Sequence, residues 1–164
     1  MKKSCILFIA LIGLSLLARA QSLTYRTLKV DLGLGGFPTV GKSGTGDITA
    51  EFHARSSDEF AFGLRGQITF AEKAYGSVCF TGDYYIPGWD SANGTRIFVG
   101  GGVGSFNESE LLSNAAGTNN IGFFSRIGLE AGHFRLSAEY DVTGGIANYG
   151  SIGIGFFLGG SKKK

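Results

Sequence analysis

The feature that most constrains the fold is a two-residue alternation of polar and apolar side chains that recurs along the chain. It is clearest in residues 47–55, where Asp-Ile-Thr-Ala-Glu-Phe-His-Ala-Arg alternates without an error. Successive side chains of a β-strand point to opposite faces, so this pattern predicts a strand with one polar and one apolar face. Such a strand separates two environments of opposite polarity.

Seven further segments follow the same rule, and no amphipathic segment after residue 20 is long enough to predict a helix. The predicted strands are residues 28–35, 47–55, 60–70, 77–86, 96–106, 120–131, 134–142 and 149–159. Their number is even, and most have the roughly 9–11 residues that a tilted strand needs to cross a bilayer. The 28 glycines are interleaved with 14 phenylalanines, as in strongly curved sheets. We therefore predict an all-β fold, an eight-stranded antiparallel up-and-down transmembrane β-barrel.

The first twenty residues have a different character from the rest. Lys2 and Lys3 precede an apolar run over residues 5–17, and Ala18-Arg19-Ala20 places small residues at both positions of an A-x-A cleavage site. This is the three-part organisation of a secretory signal peptide, and the run is shorter than the about 20 residues of a spanning helix. We expect residues 1–20 to be a cleaved signal peptide and residues 21–164 to form the barrel domain. A retained N-terminal anchor helix is the alternative.

Cleavage changes the charge balance and the cysteine content. The chain has 15 Lys and Arg against 13 Asp and Glu, but three of the basic residues belong to the predicted signal peptide. The barrel domain is therefore mildly acidic, and since a nucleic-acid partner needs a basic face, we expect none. Cys79 is the single cysteine that remains, which excludes an intramolecular disulfide.

The predicted links between strands alternate in length. Residues 36–46 and 107–119 form long links, whereas residues 56–59 and 132–133 form short turns. Short periplasmic turns on one rim and longer extracellular loops on the other are typical of outer-membrane barrels. Residues 87–95 break this pattern, because they should form a periplasmic turn and are long for one.

Alternation alone does not show whether the polar face of the strands forms the inside or the outside of the barrel. A soluble lipocalin-like barrel has an apolar interior, and a membrane barrel reverses this. The polar faces pair charges of opposite sign at close range and contain few lysines, which favours the filled interior of a narrow barrel. We expect a polar network in the lumen, formed by Lys29, Asp31, Glu51, His53, Arg55, Arg65, Asp83, Arg96, Arg126, Glu130, Arg135, Glu139 and Asp141. Four aromatic residues near strand ends are expected in an interfacial girdle: Tyr84, Tyr85, Trp89 and Tyr149.

The last predicted strand carries a more specific pattern. Ser151, Gly153, Phe156 and Leu158 fill the polar, glycine, aromatic and hydrophobic positions of the C-terminal targeting signature of outer-membrane barrels. One departure is that the chain continues through residues 159–164, whereas family members commonly end at the signature. With its N-terminus and alternating strands, the chain resembles the OmpA/OmpX-like small outer-membrane β-barrels. The resemblance implies insertion by the outer-membrane insertion machinery and contact with membrane lipid.

Residues with catalytic chemistry are scarce, and we predict no catalytic, cofactor-binding or metal-binding residues. The two histidines are His53, on the polar face beside Glu51 and Arg55, and His133, in a tight turn. His53 could act as a general base, but a hydrogen-bonded lumen residue is the favoured interpretation. Two distant histidines and one thiol lack metal-ligand spacing. The glycines of residues 100–104 precede no Gly-Lys-Ser/Thr sequence or helix, which excludes a phosphate loop.

Three functional hypotheses follow. The favoured one is a structural or surface-interaction barrel in the outer membrane, with a sealed polar lumen, loops that carry any binding to an extracellular or envelope protein, and no enzymatic activity. Within that class, a channel is the second hypothesis, but eight strands leave an interior filled by side chains, so we expect nothing larger than water or small ions to pass. The alternatives are a lipid A-modifying enzyme, which the resemblance admits, and a soluble periplasmic lipid-binding barrel.

Overall fold

A computed structural model describes residues 24–25, 27–37, 45–70, 74–89, 94–109, 118–144 and 148–159. The strands are β1 (Leu28–Phe37), β2 (Thr45–Arg55), β3 (Phe60–Phe70), β4 (Ala74–Tyr85), β5 (Arg96–Ser109), β6 (Thr118–Ala131), β7 (Phe134–Val142) and β8 (Tyr149–Gly159). Each strand pairs antiparallel with the next, and β1 also pairs with β8, which closes the barrel. The predicted eight-stranded up-and-down barrel is thereby confirmed. The predicted signal peptide lies outside the described residues.

Among the described residues, no helix has the length and apolar character needed to cross a membrane.

Two rims follow from this topology. The terminal rim carries the start of β1, the end of β8 and the connections 56–59, 86–95 and 132–133. The loop rim carries the connections 38–44, 71–73, 110–117 and 143–148. The described ends of the barrel chain therefore emerge on the same side.

The barrel is apolar outside and polar inside. In β3, exposed and buried residues alternate along the strand, with Leu64 59% exposed on the outer face and Arg65 only 6% exposed on the inner one. Large aliphatic and aromatic side chains cover the outer face of all eight strands. Charged and hydroxyl side chains fill the interior, where a lipocalin-like barrel would be apolar. This polarity is that of a membrane barrel.

The predicted bounds of β3, β7 and β8 are confirmed, while several other strands extend further toward the loop rim. β1 continues to Phe37, β2 begins at Thr45, and β5 reaches Ser109. The predicted long links 36–46 and 107–119 are therefore too long, because they contain strand residues. The physical reason is that backbone pairing continues through glycine and asparagine after the apolar alternation has ended.

Two glycines show what the barrel geometry demands. Gly132 has φ +62° in the two-residue turn between β6 and β7, a conformation that side chains disfavour. Gly104 of β5 lies against β4 so closely that a Cβ there would collide with the carbonyl oxygen of Val78 and the Cα of Cys79. The backbones of β4 and β5 can approach this closely only because Gly104 has no side chain.

Candidate functional site in the barrel lumen

The thirteen residues predicted to line the lumen all lie on the inner face of the barrel. Each has less than 9% of its surface exposed, and they belong to seven of the eight strands. They form three groups along the barrel axis, which we call the central, terminal and loop-side groups. The groups differ in charge balance and in the partners that surround them.

Arg126 of β6 organises the central group. Its guanidinium donates to both oxygens of Glu51, at 2.7 Å each, and to both oxygens of Asp83, at 2.9 Å each. Thr81 donates a further hydrogen bond of 2.6 Å to Glu51. Bidentate pairing of this kind satisfies the planar donors of arginine, and the low-dielectric interior strengthens it.

Arg135 and His53 complete the central group. Arg135 donates to Asp31 at 3.1 Å and to Asp83 at 3.4 Å. The His53 ring lies 3.3 Å from Glu51 through Nε2 and 3.7 Å from Asp83 through Nδ1, and it is 1% exposed. His53 is thus enclosed by charged groups inside the barrel and has no access to the lipid-facing surface.

The terminal group is built around Glu130. This carboxylate forms an ion pair with Lys29, accepts a hydrogen bond of 2.8 Å from Arg96, and accepts one of 3.1 Å from the Tyr85 hydroxyl. Lys29, Arg55 and Arg96 share this carboxylate, with Arg55 at 4.0 Å, and Lys29 also lies 3.9 Å from Asp31 of the central group. Positive charge is therefore in excess at this end of the lumen.

Aromatic rings accommodate the excess positive charge. The Arg55 guanidinium lies 4.2 Å from the Tyr85 ring centroid and 4.9 Å from that of Tyr25. The Arg96 guanidinium lies 4.2 Å and 3.9 Å from the same two centroids. Cation–π contacts of this kind stabilise desolvated cations. Two arginines and two tyrosines together close the lumen at the terminal rim.

The segment before β1 is part of this closure. Tyr25 is 3% exposed although it precedes the strand, and its backbone N–H donates to Asp58 at 3.2 Å. The N–H of Thr24 donates to the same carboxylate at 2.9 and 3.1 Å. Partial burial would by itself raise the pKa of Asp58, but hydrogen bonds from Thr24 and Tyr25 and the nearby Arg55 charge lower it below its ordinary value. The Asp58 turn therefore anchors the N-terminal segment electrostatically.

The loop-side group has the opposite imbalance. Arg65 donates to Glu139 at 2.5 Å and lies over the Phe124 ring, 4.7 Å from its centroid. Asp47 and Asp141 are also buried near this pair. Three carboxylates thus face one guanidinium, whereas the terminal group has three cations and one carboxylate.

Side chains leave little free space in the lumen. The interior contains a cavity of about 30 Å³ bordered by Asp47, Arg65 and Glu139 on one side and by the glycines of β1 and β8 on the other. A water molecule needs at least about 10–15 Å³, so the cavity has room for about two. The described lumen does not contain a continuous wide passage.

The sequence interpretation missed the aromatic residues of the lumen. Five rings point inward and contact the charged groups: Tyr25, Tyr85, Phe98, Phe124 and Phe157. The signal was available, since Phe98 follows Arg96 by two residues and Phe124 precedes Arg126 by two. The expected girdle is wrong for Tyr85, which is buried in the lumen, and for Tyr149, which is half-buried opposite the lumen residue Asp141, whereas Trp89 is 63% exposed.

The four residues of the C-terminal signature occupy both faces of β8. Ser151 is buried in the lumen, and Gly153 packs against the backbone of β1, with a Cβ position 3.4 Å from the Leu34 oxygen. Phe156 and Leu158 are exposed on the outer face, where lipid would contact them. The signature therefore presents Phe156 and Leu158 outward, Ser151 to the lumen, and Gly153 to the seam with β1.

The described residues include no group of three or more His, Cys, Asp or Glu side chains placed to share a metal ion. Cys79 is buried and is not part of a disulfide. His133, in the β6–β7 turn, has its Nδ1 2.9 Å from the Phe157 carbonyl oxygen.

Comparison with known proteins finds similar folds among solved structures but no relative by sequence. No protein-family model matches the sequence, and no curated protein is similar enough to count as a relative. The N-terminal β-barrel domain of Pseudomonas aeruginosa OprF is similar in structure, with a TM-score of 0.59, 13% identity, and coverage of 80% of this chain and 97% of that one. Neisserial surface protein A is also similar, with a TM-score of 0.56, 13% identity, and coverage of 79% and 94%. The chain therefore has the fold of the small eight-stranded outer-membrane β-barrels.

Proposed function

We propose that this protein is an outer-membrane barrel with a structural or surface-interaction role and a sealed lumen. The observation that carries the proposal is the filled interior, in which Arg126 binds Glu51 and Asp83 while Arg55 and Arg96 stack on tyrosines. An eight-stranded barrel has an interior that side chains can fill completely. A sealed barrel offers its partners the loop rim and its outer wall.

The arrangement of the outer wall and of His53 supports this function over the alternatives. A lipid-binding soluble barrel needs an apolar cavity, and the cavity here is small and polar. A lipid A-modifying enzyme needs its histidine at the lipid-facing surface, and His53 is enclosed by Glu51, Asp83 and Arg135. The loops that would carry binding, within 38–44 and 110–117, lie outside the described residues.

Export and insertion complete the proposal. Residues 1–20 would direct export and be removed, and the outer-membrane insertion machinery would recognise the signature from Ser151 to Leu158 in β8. The outward position of Phe156 and Leu158 supports this role, because a receptor can contact them before the barrel is surrounded by lipid.

Membrane fractionation combined with a heat-modifiability gel tests the location. We expect the protein in the outer-membrane fraction, with an unheated sample migrating differently from a boiled one because the closed barrel resists detergent. Recovery in the soluble fraction without such a shift would overturn the proposal. Liposome conductance tests the seal, and discrete large openings would contradict it.

A further inference from the structure

The outer wall of the barrel has an open groove toward the loop rim. It spans β2 to β6 and has a volume of about 570 Å³, which lies within the size range of ligand sites. Its floor lies where three neighbouring strands carry the small residues Ala50, Gly66 and Gly76 on their outward face. Ile48 and Ile68 border this floor, so this part of the groove is apolar.

No described side chain fills the floor of the groove. A Cβ at Gly66 or Gly76 would have no atom within 4 Å, whereas a Cβ at Gly82, closer to the terminal rim on β4, would lie 3.8 Å from the Phe62 ring. The gap in the wall at Gly82 is therefore covered by a ring of the protein itself. The gap at Gly66 and Gly76 is left open, and its lining gains dispersion contacts only if something from the bilayer fills it.

Hydrogen-bonding side chains line the other end of the groove, on β5 and β6. Ser105, Asn107 and Asn119 are exposed on the outer wall, and Asn107 lies opposite Asn119 in the strand register. Ser105 donates a hydrogen bond to Oδ1 of Asn119, so the NH₂ group of Asn119 can donate to an acceptor outside the barrel. Hydrocarbon offers no such acceptor, so these amides need a polar group of the lipid itself.

The polarity of the groove matches one part of a lipid molecule. None of the described residues that line it is charged, whereas a site for a lipid phosphate would present arginine or lysine. The neutral acceptor of a lipid, at the boundary between hydrocarbon and headgroup, is the carbonyl of its acyl ester. Asn119 is the second residue of β6 and Asn107 is the third from the end of β5. Both therefore lie at the loop-rim edge of the apolar wall, where this boundary is expected.

We propose that the groove binds one acyl chain of an ester-linked membrane lipid, and that Asn107 and Asn119 donate hydrogen bonds to the ester carbonyl of that chain. The chain covers the floor formed by Ala50, Gly66 and Gly76. The inference rests on the proposed function, because it requires that the outer wall face lipid. It adds a selected lipid at one place on that wall.

Quenching of tryptophan fluorescence by brominated lipid tests the site in liposomes. The single tryptophan, Trp89, is replaced by Phe, and one reporter is introduced by Val103→Trp, beside the groove, or by Ile154→Trp, on β8 outside it. Both positions are exposed near the middle of their strands. The complete folded barrel is reconstituted in mixtures of ester-linked and ether-linked phosphatidylcholine, with either lipid carrying the bromine. We expect the ester-linked lipid to be preferred about two- to tenfold at Val103→Trp, the range that one net hydrogen bond gives, and to have no preference at Ile154→Trp.

Substitutions in the groove should remove this preference. Asn107→Leu combined with Asn119→Leu should make ester-linked and ether-linked lipid equal quenchers at Val103→Trp, because no donor remains for the carbonyl. Gly76→Leu should also reduce the preference, because the new side chain occupies the floor of the groove. Gly82→Leu, on the same strand but outside the groove, is the matched control and should keep the full preference.

Three other results would contradict the inference, and they have different meanings. Equal quenching by the two lipids at Val103→Trp, in a barrel that both lipids reach, would overturn the lipid site and leave the proposed function standing. Quenching at Val103→Trp that rises as the protein is diluted in lipid would mean that a second copy of the chain covers the groove, and would overturn the lipid site too. Absence of quenching at both Val103→Trp and Ile154→Trp would mean that the wall does not face lipid, and would overturn the proposed function itself.

Discussion

At the scale of single residues, Arg126 carries more of the lumen's hydrogen bonding than its neighbours. It donates four hydrogen bonds to Glu51 and Asp83, two acidic residues on different strands. Burying Arg126, Glu51 and Asp83 also removes all three charged groups from water, which costs free energy. Their attraction therefore adds little to the net stability of the fold, although it favours this one arrangement of side chains. Removing only the cation leaves two buried carboxylates facing each other.

We therefore predict that Arg126→Leu lowers the free energy of unfolding by about 3–5 kcal/mol, the usual cost of breaking a buried ion pair from one side. Urea unfolding of the folded barrel in detergent measures this loss. Arg126→Lys retains the charge without the planar fork and should lose less. Wild-type stability in Arg126→Leu would show that Glu51 and Asp83 do not depend on the arginine.

A pair of glycines gives a second prediction at this scale. A Cβ at Gly104 would meet the Val78 oxygen and the Cys79 backbone, whereas a Cβ at Gly66 has no atom within 4 Å. We predict that Gly104→Ala costs about 1–3 kcal/mol through overpacking, and that Gly66→Ala is neutral or slightly stabilising. Parallel urea titrations compare the two. Equal losses would mean that the strand preference of alanine against glycine, and not the collision at Gly104, controls the change in stability.

At the scale of elements, the segment before β1, with Thr24 and Tyr25, packs against the terminal rim of the barrel. Its described attachments include the Asp58 hydrogen bonds, a backbone hydrogen bond of 2.8 Å from Arg55 to the Thr27 oxygen, and the contacts of the Tyr25 ring with Arg55 and Arg96. The attachment thus joins a charge interaction on the surface to a cation–π stack in the interior.

This attachment should depend on pH. Because the folded pKa of Asp58 is lowered, its contribution to stability is fully present above the ordinary aspartate pKa of about 3.9 and is lost as the pH falls through the lowered value. We predict that protease cleavage near residue 25 accelerates in that acidic window while the barrel stays folded. Asp58→Asn should remove this part of the pH dependence. A cleavage rate that is flat with pH in the wild type would contradict the prediction.

The elements themselves were largely predictable, since a period of two is visible wherever one face meets lipid and the other meets charge. β3, β7 and β8 have polar and apolar residues up to their ends, and their predicted bounds are confirmed. β5 extends to Ser109 because β4 supplies backbone partners there, and pairing of that kind leaves no side-chain pattern. Contacts across the lumen, such as Arg65 with Glu139, depend on barrel tilt and diameter, which one strand's sequence does not encode.

At the scale of the whole molecule, charge is distributed unevenly along the barrel axis. Lys29, Arg55 and Arg96 share Glu130 near the terminal rim, and Arg65 faces the surplus carboxylates near the loop rim. The apolar outer wall shows no corresponding change, so the asymmetry belongs to the lumen. Basic side chains are therefore concentrated near the terminal rim of the lumen and acidic side chains near the loop rim.

The outer wall supports a prediction about membrane depth. Leu64 lies in the middle of β3 on the exposed face, whereas Asn119 lies near the loop-rim end of β6. We predict that Leu64→Arg lowers the free energy of unfolding in lipid bilayers by about 2–4 kcal/mol and that Asn119→Arg costs at most about 1 kcal/mol. Guanidinium unfolding in liposomes distinguishes them. Similar costs at both positions would place the bilayer midplane elsewhere.

The pairing of β1 with β8 has a consequence for biogenesis. Lys29 lies opposite Gly159, so the register that shuts the cylinder joins the first strand to the last one exported. In hydrocarbon every backbone N–H and C=O must find a partner, and a cylinder lacking one strand would leave two open edges. A prematurely terminated chain therefore has no stable halfway state in the bilayer. Stable insertion into the membrane therefore requires the complete chain through β8. We expect truncated chains to stay outside the membrane, where periplasmic proteases can degrade them.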